Sequence, residues 1–125
     1  RAIPIASARE NPEVLTRAYD TIAEALANGE LVGLFPEGRL TSDGEIGEFR
    51  GGASKIVERT PVPVIPMALS GLWQSLFARN REKMKHAPTR LFPRVRVAVG
   101  DALSPDSVAP QGLRSVVAEL RGDWR

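Results

Sequence analysis

No cysteine occurs in the 125 residues, and histidine occurs once, at His86. The first absence excludes a disulfide framework, a thiolate metal site and a cysteine nucleophile, and it fits a reducing compartment. The second excludes every site that needs two imidazoles. Long apolar runs are missing as well. The strongest, residues 62–69, is eight residues long and contains Pro63 and Pro66, whereas a transmembrane helix needs about 20. No secretory leader pattern is visible. The chain opens at Arg1 rather than Met and reads as a piece of something longer. Familiar catalytic signatures are also lacking. There is no phosphate-binding G-x-x-x-x-G-K-[ST], no dinucleotide fingerprint, no G-x-S-x-G elbow and no H-E-x-x-H. Asp43, Glu45 and Glu48 imitate a carboxylate cation site, but their spacing matches no metal loop. No metal is expected.

What is present suits one domain. The length can bury a single core, and 26% charged residues with 42% hydrophobic ones argue against wholesale disorder. Net charge is +2, but it is unevenly spread. Residues 1–78 carry a net −3, residues 79–96 a net +6 and residues 97–125 a net −1. A basic segment therefore sits on a slightly acidic body. It is either a solvated helical face or a surface for phosphate-rich partners such as membrane headgroups, nucleic acid or a phosphorylated carrier.

Ala2–Ile5 reads as a short strand. Asn11-Pro12 predicts a helix start, with Asn as cap and Pro at the first helical position. Val14, Leu15, Ala18, Tyr19, Ile22 and Leu26 recur at helical spacing up to a stop at Gly29. Leu31–Phe35 is nearly all apolar, as expected of a strand covered on both faces. Pro36–Gly52 reads as a long loop, Ala53–Arg59 as a short helix and Val62–Leu69 as a strand whose prolines demand an edge or a bulge. Gln74–Lys85 is assigned to a helix, Arg94–Val99 to a strand with one polar face, and Leu113–Leu120 to a closing helix. Strands alternating with helices predict an α/β fold with a mixed, largely parallel sheet and flanking helices. The whole of residues 1–125 is expected to be one domain, or part of one.

Chemistry is expected in the long loop, which leaves the end of a predicted buried strand and leads into a helix, where open α/β sheets bind ligands. Phe35-Pro36-Glu37-Gly38-Arg39 puts Glu37 and Arg39 just past the strand end with Gly38 between them. Arg39 offers a planar fork of donors suited to phosphate. Glu37 either orients that arginine or accepts from a substrate hydroxyl. Arg50, Gly51, Gly52 and Lys55 add charge and free amides at a helix start. A surface Glu–Arg pair in a glycine turn is the plainer alternative.

Phe35-Pro36-Glu37-Gly38 resembles the F-P-E-G block of the glycerolipid acyltransferases, and Val62-Pro63-Val64-Ile65-Pro66-Met67-Ala68 is similar to that family's downstream V-P-V-I-P-V block. The two stand in the right order and spacing. Arg39-Leu40-Thr41, with Arg90-Leu91-Phe92-Pro93, is most similar to the 2-acylglycerophosphoethanolamine acyltransferase branch, whose domain is often fused to other modules. The resemblance covers roughly residues 2–105. Two departures stand out. The common block continues T-R-S, where this chain has Arg39, Leu40 and Thr41. The family's His-x-x-x-x-Asp, whose His deprotonates the acceptor hydroxyl, is absent, because Leu91 stands five residues after His86. In the family it lies upstream of the segment matching Ile3-Pro4-Ile5.

The resemblance implies the C-terminal part of an acyltransferase domain. In it Glu37, Gly38 and Arg39 contact the acceptor phosphate, with Arg50 as the competing candidate, and Pro66 and its neighbours line an apolar acyl-chain path. It implies acyl transfer from acyl-CoA or acyl-carrier protein to a lysophospholipid at the cytoplasmic face of the cell membrane. The thioester supplies the activated group, so no further cofactor is expected. These residues alone are expected to be inactive. His86 reads as a surface residue, and Trp73 and Phe77 as core packing, with insertion into a membrane interface as the alternative. The rival function is a non-enzymatic module that binds anionic lipid through residues 79–96. Nucleic acid is disfavoured, since Phe92 is the one aromatic in that segment.

Overall fold

The cap at Asn11 sets the first helix. In the computed structural model, which describes residues 2–7, 9–39, 41, 44–72 and 94–123, helix α1 runs from Pro12 to Ala27. Asn11 is extended, and its side-chain oxygen accepts from the Val14 N–H at 3.1 Å, satisfying one of the orphan donors of the first turn. Pro12 loses nothing there, because its position needs no donor. The helix buries Ala18 and Ile22 and contacts helix α2 (Gly52–Arg59), to which Asp20 is joined by the Arg59 guanidinium.

Strand β1 (Met67–Ser70) pairs antiparallel with β2 (Arg96–Val99), Met67 opposite Val99 and Ser70 opposite Arg96. Pro63 and Pro66 delay the start of β1, since neither can donate to a ladder. Pairing still continues beyond the strand. Gly100 donates to the Pro66 carbonyl at 2.9 Å, and Val64 and Leu103 exchange two bonds of 3.0 and 2.8 Å. Between those pairings one chain advances by two residues and the other by three, which is a β-bulge. The extra residue lies in 100–103, opposite the prolines, while β1, in a sheet of two strands among the described residues, is an edge, one of the two outcomes the prolines demanded.

Helix α3 (Pro110–Arg121) follows a short turn of 3₁₀ helix at Pro105–Ser107 and contacts both strands. Ala68 and Ser70 are buried, whereas Met67, Leu69, Val97 and Val99 stand about half exposed on the alternate positions. A small core joins α2 to α3: Val57, Val108 and Leu113 are buried together, with Phe49, Ala53, Val62, Val64 and Leu103 around them. The Ser54 hydroxyl donates to the Val108 carbonyl at 2.6 Å and closes its edge.

The expected mixed, largely parallel sheet with flanking helices is not what forms. Among the described residues the sheet is two-stranded and antiparallel, and most regular structure is helical. The difference lies in residues 2–5 and 31–35, neither of which is a strand. Apolar sequence makes a segment eligible for burial, but a strand also needs a second backbone beside it, and these segments have none among the described residues. Leu31 is fully exposed and Phe35 is 81% exposed. The assigned helix at 74–85, the aromatics Trp73 and Phe77, His86, the Arg90–Pro93 motif and most of the basic segment lie outside the described residues. Its described members Arg94 and Arg96 are exposed.

The α2–α3 core gives a direct stability test. Leu113→Ala should lower the unfolding free energy by about 2–5 kcal/mol, read as a fall in the urea midpoint. The exposed Gln111→Ala should stay within about 0.5 kcal/mol. Equal midpoints for the two variants would show that this cluster does not hold the helices together.

Candidate functional site

Residues 31–35 run from the end of α1 into a tight turn. The Gly38 N–H donates to the Phe35 carbonyl at 3.1 Å, and Gly38 takes φ +61°, in the left-handed region. The base of the following loop is closed by the Arg50 N–H on the Pro36 carbonyl at 2.8 Å. This lays the Arg50 side chain over Gly38: a β-carbon there would stand 3.2 Å from both Cδ and Nε of Arg50. A side chain at 38 would therefore be strained in backbone and crowded in space.

Glu37 is half-buried, and its Oε2 accepts from the Gly47 N–H at 2.7 Å, across the loop. Among the described residues this carboxylate bonds to Gly47 and not to Arg39. Arg39 faces the same point: a β-carbon on Gly47 would meet Glu37 Oε2 at 3.1 Å and an Arg39 terminal nitrogen at 3.5 Å. Three of the predicted residues, Glu37, Gly38 and Arg39, thus cluster with Arg50 around one turn. Arg39 and Arg50 are exposed, and neither guanidinium hydrogen-bonds another described residue. Two cationic forks flank a braced carboxylate, an arrangement able to take an anion from solvent.

The segment before α1 adds a negative group. Ser7 and Glu10 form a reciprocal turn, with the Ser7 hydroxyl donating to Glu10 Oε2 at 2.8 Å and the Ser7 N–H to the same oxygen at 3.2 Å. Those bonds hold the Glu10 carboxyl below the usual carboxylate range, and the Arg50 charge lowers it a little further.

Two residues that sequence reasoning missed hold the loop from α3. Arg114 donates from Nε to the Gly47 carbonyl at 2.9 Å and from Nη2 to the Ile46 carbonyl at 3.0 Å. Arg121 donates to the Gly44 carbonyl at 3.2 Å and to Glu45 Oε2 at 2.9 Å. Thr41 folds the loop's near end, accepting from the Gly44 N–H at 3.1 Å and donating to the Glu45 carbonyl at 2.9 Å. Pro66, the remaining predicted residue, belongs to a different set of contacts. It is buried where Gly100 meets Leu120. No group of carboxylates or imidazoles able to hold a metal occurs among the described residues.

Residues 2–70 match the family described as acyltransferase. Over 84 residues the chain is 34% identical to the chloroplastic 1-acyl-sn-glycerol-3-phosphate acyltransferase of Brassica napus, covering 67% of this chain and 24% of that protein. It is 32% identical over 84 residues to the chloroplastic enzyme of the same description from Arabidopsis thaliana, with the same coverage of each chain. Against a probable 1-acyl-sn-glycerol-3-phosphate acyltransferase of Mycoplasma genitalium it is 25% identical over 99 residues, 79% of this chain and 37% of the relative. The chain spans about a quarter of the length of the plant relatives it matches. No solved structure matches it.

The Ser7–Glu10 turn beside Arg50 makes a pH prediction. A carboxyl whose folded pKa is depressed contributes stability that is present above its unfolded pKa and is lost as pH falls through the folded one. In an NMR titration Glu10 should therefore change protonation below the ordinary carboxylate range. Ser7→Ala should move the midpoint up, and Arg50→Ala should move it less. A Glu10 midpoint indifferent to Ser7→Ala would remove the turn as the cause.

Proposed function

The chain belongs to the acyltransferase family, and from that premise we propose that it carries the acceptor-binding part of an O-acyltransferase acting on a lysophospholipid. The observation that carries this reading is the turn at residues 35–38. Glu37 is braced on the Gly47 N–H, while Arg39 and Arg50 are left with exposed guanidinium groups on either side. An acceptor phosphate suits that geometry, because an arginine fork can give two parallel bonds to phosphate oxygens. Held there, the acceptor presents its hydroxyl to an acyl thioester, either acyl-CoA or acyl-carrier protein. A general base takes the hydroxyl proton as the oxygen bonds to the acyl carbon, the C–S bond breaks, and the sulfur leaves as thiolate that takes up the proton from the base as the free thiol. The family's base is the histidine of His-x-x-x-x-Asp, which this sequence does not contain.

The acyl chain itself would lie along apolar surface near Pro66. Ile65, Met67 and Leu69 expose about half their area, as do Val97 and Val99 opposite. No described helix is long and apolar enough to cross a membrane. The reading places the reaction at the cytoplasmic face of the cell membrane, with the acyltransferase domain fused to further domains in the whole protein.

Two measurements test it. The 125-residue chain by itself should transfer no acyl group above background, since loss of a general base forfeits about 10²–10⁴-fold. Robust turnover by the pure chain would put the base among these residues. In the whole protein, Arg39→Ala should lower kcat/KM for the acceptor by roughly 10–150-fold, the worth of a charge-assisted bond of about 1.5–3 kcal/mol. The donor KM should change little, and Arg39→Lys should recover only part. If Arg50→Ala carries the acceptor defect and Arg39→Ala behaves as wild type, the phosphate is held by Arg50 over Gly38 and not by Arg39.

A further inference from the structure

The peptide group between Ile46 and Gly47 is held at both ends by opposite charges. Its N–H donates to the Glu37 carboxylate at 2.7 Å, and its carbonyl accepts from the Arg114 guanidinium at 3.0 Å. The same arginine also takes the next carbonyl, that of Gly47, at 2.9 Å. Glu37 and Arg114 are thus joined through one peptide unit, with a cation polarising its oxygen and an anion accepting from its hydrogen. Bonds in such a chain strengthen one another.

The far end of the loop is anchored by the same helix. Arg114 and Arg121 are seven residues apart, two turns of α3, and so share a face separated by about 10 Å along the axis. The loop runs antiparallel to the helix, with Arg121 meeting Gly44 and Glu45 and Arg114 meeting Ile46 and Gly47. Both arginines lie outside residues 2–70, the stretch that matches the family.

From this geometry we infer that Arg114, with Arg121 as its second anchor, is a positioning residue for the acceptor site: it fixes the Ile46–Gly47 peptide on which Glu37 is braced and beside which Arg39 lies. The inference rests on the reading of that turn as the acceptor site. Arg114 is itself exposed and outside the α2–α3 core, so its removal separates loop position from overall stability.

The test uses the whole protein carrying this sequence, with hydrogen exchange read by mass spectrometry on the peptide spanning residues 44–50. Steady-state kinetics are measured on the same variants. Arg114→Ala should speed exchange at Gly47 by about 10-fold or more and raise the acceptor KM by a similar factor. The donor KM should stay within about twofold of wild type. Arg114→Lys, which keeps the charge but lacks the planar fork that spans both carbonyls, should fall between. Because the two groups act through one peptide, Glu37→Gln with Arg114→Ala should be no worse than the poorer single variant. Wild-type exchange in Arg114→Ala overturns the inference, as do multiplicative effects in the double variant or equal rises in acceptor and donor KM. An acceptor defect in Arg39→Ala with none in Arg114→Ala defeats the positioning role alone. A wild-type acceptor KM in Arg39→Ala defeats the acceptor-site reading beneath it.

Discussion

The seating of helix α3 is the constraint from which the site follows. Leu113 and Val108 are buried with Val57 of α2, and the same helix lies against β1. That burial is non-directional, but it sets the helix at one height and rotation. The height and rotation then decide where Arg114 and Arg121 can reach. Their donors meet four successive loop residues, Gly44 to Gly47. The loop from Pro36 to Gly52 packs Phe49 against this core, and directional ties order the stretch between. Among the described residues these include the Arg50–Pro36 backbone bond at the base, the Glu37–Gly47 brace across the middle, the Thr41 hydroxyl bonds to Gly44 and Glu45, and the arginines from α3 at the outer edge. Hydrophobic burial places the helix, and charge-assisted hydrogen bonds pass that placement on to the turn.

Local signals were legible in the sequence. Asn11-Pro12 specified the start of α1 because capping is settled within three residues of chain. The prolines at 63 and 66 announced an edge because a missing N–H acts at its own position. The start of a loop at Pro36 was legible from its glycines and polar residues, whereas the tight turn that includes Phe35 was not, since that residue read as the end of a strand. What depended on a partner was not. Leu31–Phe35 has the composition of a buried strand yet runs exposed, since composition does not say whether another backbone will stand beside it. Arg114 and Arg121 looked like ordinary helix charges. Their partners lie 67 to 77 residues earlier, and nothing in either stretch points to the other.

The charges around the turn are arranged unequally. Glu37 is half-buried, and its hydrogen bond to a backbone amide spends part of its acceptor capacity inside the protein. Arg50 lies under the influence of Glu10, which the Ser7 bonds keep ionised to lower pH. Arg39 stands beside Gly47, its guanidinium exposed and without a hydrogen bond to another described residue. Exposed charges interact weakly at physiological salt, where screening acts over about 8 Å. An incoming anion therefore gains more from direct, forked contact with an arginine than from the general field of the domain. Under the proposed function both guanidiniums are candidates for that contact, Arg39 beside the Glu37 carboxylate and Arg50 over Gly38.

The remaining argument joins the charged turn to the apolar sheet face. Met67, Leu69, Val97 and Val99 form adjacent cross-strand pairs whose side chains stand half exposed, while the alternate positions Ala68 and Ser70 are buried. Small residues there let α3 approach closely, and the large ones are left on the opposite face. One helix thus contacts the sheet that presents the apolar surface and reaches, through two arginines, the loop that presents the cations. A lysophospholipid needs both kinds of surface, an anion site for its head and apolar area for its chain. Under the proposed function α3 is the member that keeps these two surfaces in register. On the same proposal, a substrate lacking either part would leave one of the two surfaces unused, which is the physical ground for expecting an amphiphilic acceptor and not a free phosphate ester.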